Sequence, residues 1–302
     1  MSRSKSICFI TFAGSPNETD SKYLNIAKAR QRIILQAEES GQFVDCIGLD
    51  WLQLSNLCVE HKIDIPATPH RYSFTPILLK LISLNAFGNY QLVLYAGSGC
   101  EINTNFFAKK DLNRMVKTAK RNIFYVEHNL LPELQYTKKE VFIDFQLPLQ
   151  FANTPQICAT FFLVSCTANP TILNAISNDW LEYSTRENGF YISSEFNPKI
   201  QDSNFQAHRN DQSLFSVVLK KYEIRSNFEK QRNFVQAFPA IRGSTTFIWT
   251  NRNRSGVSKM PDNIHLFVFG LIAISIEPLL SIYHRILTHY RLSKNFNRED
   301  YK

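Results

Sequence analysis

The chain has 302 residues, 44% of them apolar, with 24 phenylalanines and 12 tyrosines against 10 glycines. That supplies a buried core for one large domain or two small ones and argues against long disordered tracts. The formal charge of +8 points to an anionic partner or surface, such as nucleotide phosphates, anionic lipid or nucleic acid, without choosing among them.

Residues 7–12 are β-branched and aromatic and end at Ala13-Gly14-Ser15-Pro16, so they read as a strand too short for a signal peptide. The six cysteines show no C-x-x-C spacing and several lie in apolar runs, as expected of reduced core thiols in a cytosolic protein. A helix follows over 25–40, burying Ile26, Ala29, Ile33 and Ala37 and stopping at Gly41, with Arg30 and Arg32 as flanking charges that are more often solvated than phosphate ligands. Residues 43–49 give a second strand and 52–60 a short helix, and this alternation predicts a parallel α/β sheet. After Arg71, Pro76 opens a helix over 77–84.

Residues 91–95 form the clearest buried strand and run into Gly97-Ser98-Gly99-Cys100-Glu101. Ligands of open α/β sheets bind beyond the carboxyl ends of strands, which makes this turn a candidate site. Gly97-x-Gly99 also fits a Rossmann-like methyltransferase turn. Against that reading, Lys117, Lys120 and Arg121 stand where a ribose-binding acid is needed, and no third glycine follows. A helix over 105–120, a strand over 123–127, a capped helix start at Thr137 with solvent-facing lysines, a central strand over 157–164 with Gln156 at its entry, and a helix over 170–183 follow. Residues 186–205 are irregular and read as a loop over the next segment.

That segment, His208-Arg209-Asn210-Asp211-Gln212-Ser213, places an imidazole, a guanidinium, a carboxylate, an amide and a hydroxyl just before the helical stripe Leu214, Phe215, Val217, Val218 and Leu219. Asn210 suits the N-cap and Asp211 the first turn, which leaves His208, Arg209 and Gln212 as surplus chemistry at one helix entry. Arg252 and Arg254, past an aromatic strand, suit either a diphosphate or a solvated hairpin. Residues 266–276 are too short to span a bilayer; with Arg285, Arg291, Lys294 and Arg298 behind them, they fit a surface-lying anchor or a packed helix pair equally. The expected organisation is a main domain over 1–256 and a C-terminal helical appendage over 257–302.

Three stretches together resemble a family of bacterial glycosyltransferase-like proteins of capsule and lipopolysaccharide loci: Leu92 to Tyr95 with Gly99-Cys100-Glu101-Ile102-Asn103, Thr154-Pro155-Gln156, and the His208 to Ser213 helix start. The resemblance covers roughly residues 6–256. It implies a GT-A type fold, a mixed and mainly parallel sheet flanked by helices, and transfer from a nucleotide-sugar donor to a glycan or lipid-linked acceptor. The setting implied is the cytoplasm, at the inner face of its membrane. Such a reaction needs carboxylates or amides near the sugar and cations or a metal, Mg or Mn, near the departing phosphates. On that reading Asp211 or Glu101 is the base. Gly97, Ser98, Gly99, Gln156, His208, Arg209, Gln212, Arg30 and Arg71 meet the donor. Relatives carry Asp-Ala-Gly-Cys where this chain has Gly97-Ser98-Gly99-Cys100. The missing acid leaves metal dependence open and favours, as an alternative, a degenerate nucleotide-sugar-binding protein without turnover. A nucleic-acid binder rests on charge alone, with no recognised module.

Overall fold

The computed structural model describes residues 5–14, 21–65, 74–228 and 246–249. The predicted readings at Arg71, Arg252 and Arg254, and the whole 257–302 appendage, lie outside these residues.

β1 (Lys5–Phe12) opens the central sheet, followed by α1 (Ser21–Ser40), β2 (Asp45–Leu49), α2 (Trp51–Glu60), α3 (Phe74–Ser83) and β3 (Tyr90–Ala96). β1 pairs in parallel with both β2 and β3. Its side chains are apolar on both faces, as a strand covered twice requires: Cys8 and Ile10 enter one core, Ile7 and Phe9 the other. The helices start where their caps direct. Asp50 and Gln53 form a reciprocal capping box on α2, with Gln53 N donating to Asp50 Oδ1 at 2.8 Å. Asn105 caps α4 (Phe106–Asn122), and Asn169, with Pro170 behind it, opens α7 (Pro170–Thr185).

Two predicted strands are each split between sheets. The 123–127 run becomes β5 (Phe124–Tyr125) and the start of β6 (Glu127–Pro132). The apolar 157–164 run becomes β7 (Pro155–Ile157) and β8 (Phe161–Ser165). Each break is a hand-over: Cys158 N donates to Glu127 O at 2.7 Å on the β6 side, and Thr160 O accepts from Gly97 N at 2.9 Å at the central sheet. Apolar content alone does not mark such a break, because both halves are buried. The central sheet has the order β2-β1-β3-β8-β5, with β8 antiparallel to its neighbours. A three-stranded sheet, β7-β6-β9, includes β9 (Asn227–Phe228), and β10 (Ile248–Trp249) pairs with β4 (Glu101–Ile102).

Helices cover both faces of the central sheet, giving the expected mixed, mainly parallel α/β architecture. One core packs α2, α3, α7 and α8 (Asp211–Lys221) against Val93, Tyr95, Phe162 and Val164. The other packs α1 and α4 against Leu92, Leu94, Phe161 and Leu163. Short α5 (Glu133–Tyr136) and α6 (Lys139–Asp144) join β6 to the α8 layer. All six cysteines are free. Burial lifts Cys58 and Cys166 to about 11, in keeping with unreactive core thiols.

Candidate functional site

β1 and β3 are neighbours although β2 separates them in sequence, so the chain reverses direction of winding between them. A crevice opens at the carboxyl ends of strands at such a point. The two strand ends at this point run into Ala13-Gly14 after β1 and Gly97 to Cys100 after β3. Gly14 is required by close approach, since a β-carbon there would lie 2.4 Å from the Trp51 backbone nitrogen. Gly97 is not: an added β-carbon meets Thr160 O at an ordinary 3.5 Å. Phe12, Trp51 and Phe74 form an aromatic wall at the same edge, with ring centroids 4.8 Å apart for Phe12 and Phe74 and 5.4 Å for Trp51 and Phe74.

Asp211 enters this edge from α8. Its Oδ2 accepts from Thr75 Oγ1 at 3.4 Å, and the Tyr95 hydroxyl, hydrogen-bonded to Thr75, lies within its field. Tyr95 is the second-last residue before Gly97, so the α8 entry and the glycine turn share one neighbourhood. Burial raises the Asp211 carboxyl from 3.8 to about 7, against the opposing pull of the Gln212 amide, Thr75 and Arg209. Asn210 stands at the N-cap with φ 52° and ψ −129°, and its side chain makes no capping bond. Asp211 Oδ1 instead accepts from Gln212 N at 3.0 Å, and Ser213 Oγ accepts from Arg209 N at 2.8 Å. A non-glycine residue in that region is held by its surroundings at an energetic cost, a pattern concentrated at functional positions.

The other candidates divide. Arg30 donates to Ala13 O at 3.1 Å and stands 3.8 Å from Asp50, at the ends of β1 and β2. Glu101 is fully buried and met by Gln36 of α1 at 3.5 Å. Glu101 and Asp211 are thus held by different layers, and the structure does not bring the two carboxylates into one pocket. Gln156 is also fully buried. Its Nε2 donates to Ser213 Oγ at 3.0 Å and to Glu133, Tyr136 O and Thr137 at 3.2 Å, while its Oε1 accepts from Gln212 Nε2 at 2.7 Å. Both amides are spent on the interior. His208 donates from Nε2 to Tyr191 O at 2.8 Å and accepts at Nδ1 from Lys138 N at 3.3 Å. Burial, with the Lys138 charge, pushes it down to about 3, so it is a neutral clasp on the 186–205 loop.

Of three supporting residues, two run against the sequence expectation and the third, Glu133, carried none. Arg32, expected as a solvated flank, is 6% exposed and donates to Ser98 O at 3.0 Å and Cys100 O at 2.8 Å, pinning the glycine turn. Its signal was its place beside the apolar stripe, one turn from Gln36. Lys138, expected in solvent, is buried: its Nζ donates to Phe190 O and to Glu195 O at 2.8 Å and lies 3.7 Å from the Phe190 ring. Glu133 is fully buried in an ion pair with Lys220, supported by Ser216 and Thr137. Nothing in their spacing pairs residues 87 apart.

Gly97 to Cys100 offers no carboxylate, and among the described residues no three His, Cys, Asp or Glu side chains cluster as a metal site. No helix of the described residues is long and apolar enough to cross a membrane.

No family model and no curated protein matches the chain. Solved structures that resemble it include mouse xyloside xylosyltransferase 1 in its apo form, with 9% identity and a TM-score of 0.42 over 74% of this chain and 85% of that one. Another is a glycosyltransferase involved in glycosylation of the major capsid of PBCV-1, with 12% identity and a TM-score of 0.42 over 82% and 95%.

Proposed function

We propose that the chain is a glycosyltransferase with a GT-A type fold, moving a sugar from a nucleotide-sugar donor to a polysaccharide or lipid-linked acceptor in cell-surface glycan synthesis at the inner face of the cytoplasmic membrane. The observation that carries this reading is the seat of Asp211: a carboxyl near neutrality, beside Thr75 and Tyr95, at the strand edge where the glycine turn begins. The sequence resemblance at Gly99 to Asn103 and His208 to Ser213 supports it independently of that geometry.

In an inverting transfer, an acceptor oxygen forms a bond to the anomeric carbon as the bond to the nucleoside diphosphate breaks, and the diphosphate leaves with the electron pair. Asp211 takes the acceptor proton, a role its pKa of about 7 suits. Glu101 is the weaker choice for the base, because its side chain is enclosed under α1. Arg30 and Arg209 are the cations we assign to the phosphates, and the aromatic wall of Phe12, Trp51 and Phe74 suits the flat face of a nucleobase. No step is routed through a metal, since the turn offers none of the acids that would hold one. Gln156, Gln212 and His208 are assigned to shaping the α8 entry.

The test is a calorimetric screen against UDP-, GDP-, CMP- and dTDP-linked sugars, followed by turnover assays with and without acceptor in wild type and Asp211→Ala, each with Mg2+ and Mn2+. One donor class should bind, and turnover should be lost in the variant. Equal turnover in both proteins overturns the assignment of Asp211. Binding with no turnover under any condition identifies a degenerate binder instead.

A further inference from the structure

The turn from Gly97 to Cys100 directs its acceptors inward. Gly97 O accepts from Cys100 N at 2.8 Å, and Arg32 of α1 donates to Ser98 O at 3.0 Å and to Cys100 O at 2.8 Å. The peptides here are trans, so the carbonyl and the N–H of one unit point opposite ways. With Ser98 O drawn to Arg32, the Gly99 N–H points away from that guanidinium; with Gly97 O drawn into the turn, the Ser98 N–H points out of it. Neither N–H, nor the Ser98 hydroxyl, meets a partner among the described residues, and both residues are half-buried. Three hydrogen-bond donors therefore stand on two consecutive residues, and of the four carbonyls of the turn three are already engaged.

A metal needs the reverse arrangement. Mg2+ and Mn2+ are held by oxygen ligands, carboxylates first among them. Residues 97–100 carry no carboxylate. Glu101, next in the chain, is fully buried, accepts from Gln36 at 3.5 Å and lies in the field of Arg32. Outward N–H dipoles repel a cation and attract an anion. We propose that this turn is a metal-free seat for the donor's diphosphate, with Ser98 N, Gly99 N and the Ser98 hydroxyl as its hydrogen-bond donors and Arg32 as the residue that positions them. The seat takes the place of the Mg or Mn that the sequence resemblance implies. Arg32 is 6% exposed and its charge is enclosed with Glu101, so its contribution is the direction of the peptide groups and not a contact with the anion. The choice of a diphosphate as ligand rests on the transferase reading; the donor chemistry of the turn does not.

The experiment is titration calorimetry of the full chain with inorganic pyrophosphate, in EDTA and in Mn2+, for wild type, Gly97→Asp, Arg32→Lys and Arg32→Met, with a melting curve for each. Wild type should bind in EDTA, and Mn2+ should not strengthen binding, because metal on pyrophosphate covers the oxygens that the N–H groups need. Gly97→Asp sets a carboxylate on the turn at a position where an added β-carbon meets Thr160 O at an ordinary 3.5 Å. Its affinity in EDTA should fall roughly tenfold to a hundredfold. Arg32→Met should bind about tenfold more weakly, and Arg32→Lys, which still offers a cationic donor to the two carbonyls, should recover most of that loss. If Arg32→Met melts early, the lysine variant and Gly97→Asp carry the test. Wild-type binding that requires Mn2+, or no binding in either buffer, overturns the seat. So does undiminished binding by Gly97→Asp, which assigns the anion to other cations such as Arg30 or Arg209. Wild-type affinity in a stable Arg32→Met overturns the part given to Arg32. The two readings fail separately: pyrophosphate binding in EDTA without sugar transfer keeps the seat and removes the transferase, whereas transfer that requires Mn2+ keeps the transferase and removes the seat.

Discussion

Asp211 sits where ionisation is penalised, and that has a measurable sign. Its folded pKa of about 7 lies above the ordinary 3.8, so the folded chain keeps a proton that the unfolded chain has released. Stability from this group is present below pH 3.8, falls as pH rises through that window, and is flat above 7. Asp211→Asn removes the slope. In thermal unfolding from pH 4 to pH 8 the variant should match wild type at the acid end and exceed it at pH 8 by on the order of 4 kcal/mol, while transfer falls roughly 10²- to 10⁴-fold. A variant less stable than wild type at pH 8 shows that the carboxylate is a structural anchor. Among the residues picked out from the sequence, Asp211 stands in the first turn of α8 as read, because an acid at a helix start after a long irregular stretch is a local pattern. His208 was legible as unusual, yet its role depends on Tyr191 and Lys138, which no local pattern supplies.

The α8 element is buried on nearly every side, from Gln212 to Lys220. Its visible apolar stripe accounts for one face only. The rest is enclosed because Glu133, Gln156, Ser213, Ser216 and Lys220 satisfy one another's polar groups inside the fold. Burying an ion pair is not itself a large stabilisation, but removing one partner strands the other without solvent. Glu133→Gln should therefore lower stability by about 3–5 kcal/mol in denaturant titration. The double change Glu133→Gln, Lys220→Met should recover part of that loss. A single variant within a few tenths of wild type means that water reaches Lys220. The split strands carry the same lesson: an apolar run states that residues are buried, whereas the partner strand decides which sheet receives them.

At the scale of the molecule, β10 closes the α1–α4 side. Phe247 and Ile248 are buried, Asn103 N donates to Phe247 O at 2.9 Å, and Ile248 pairs with Ile102 beside the glycine turn. A chain ending at residue 228 loses these contacts, at a cost of about 3–5 kcal/mol, whereas one ending at residue 256 keeps them and should melt within a few degrees of the full chain. Calorimetry of the two truncations decides it. Equal melting shows that β10 contributes little. Strong destabilisation at 256 shows that residues 257–302 belong to the fold and are no appendage.

The α/β class and the order of most helices and strands were settled by the chain's local chemistry: apolar period, caps and glycine turns act over a few residues and leave their mark in sequence. Which layer of the fold holds Asp211 and which holds Glu101 was decided only in three dimensions. So were the burial of Arg32, Lys138 and Glu133 and the inward turn of Gln156. A buried polar group is stable only beside partners that chain topology brings from far away, and its position along the chain does not record who those partners are.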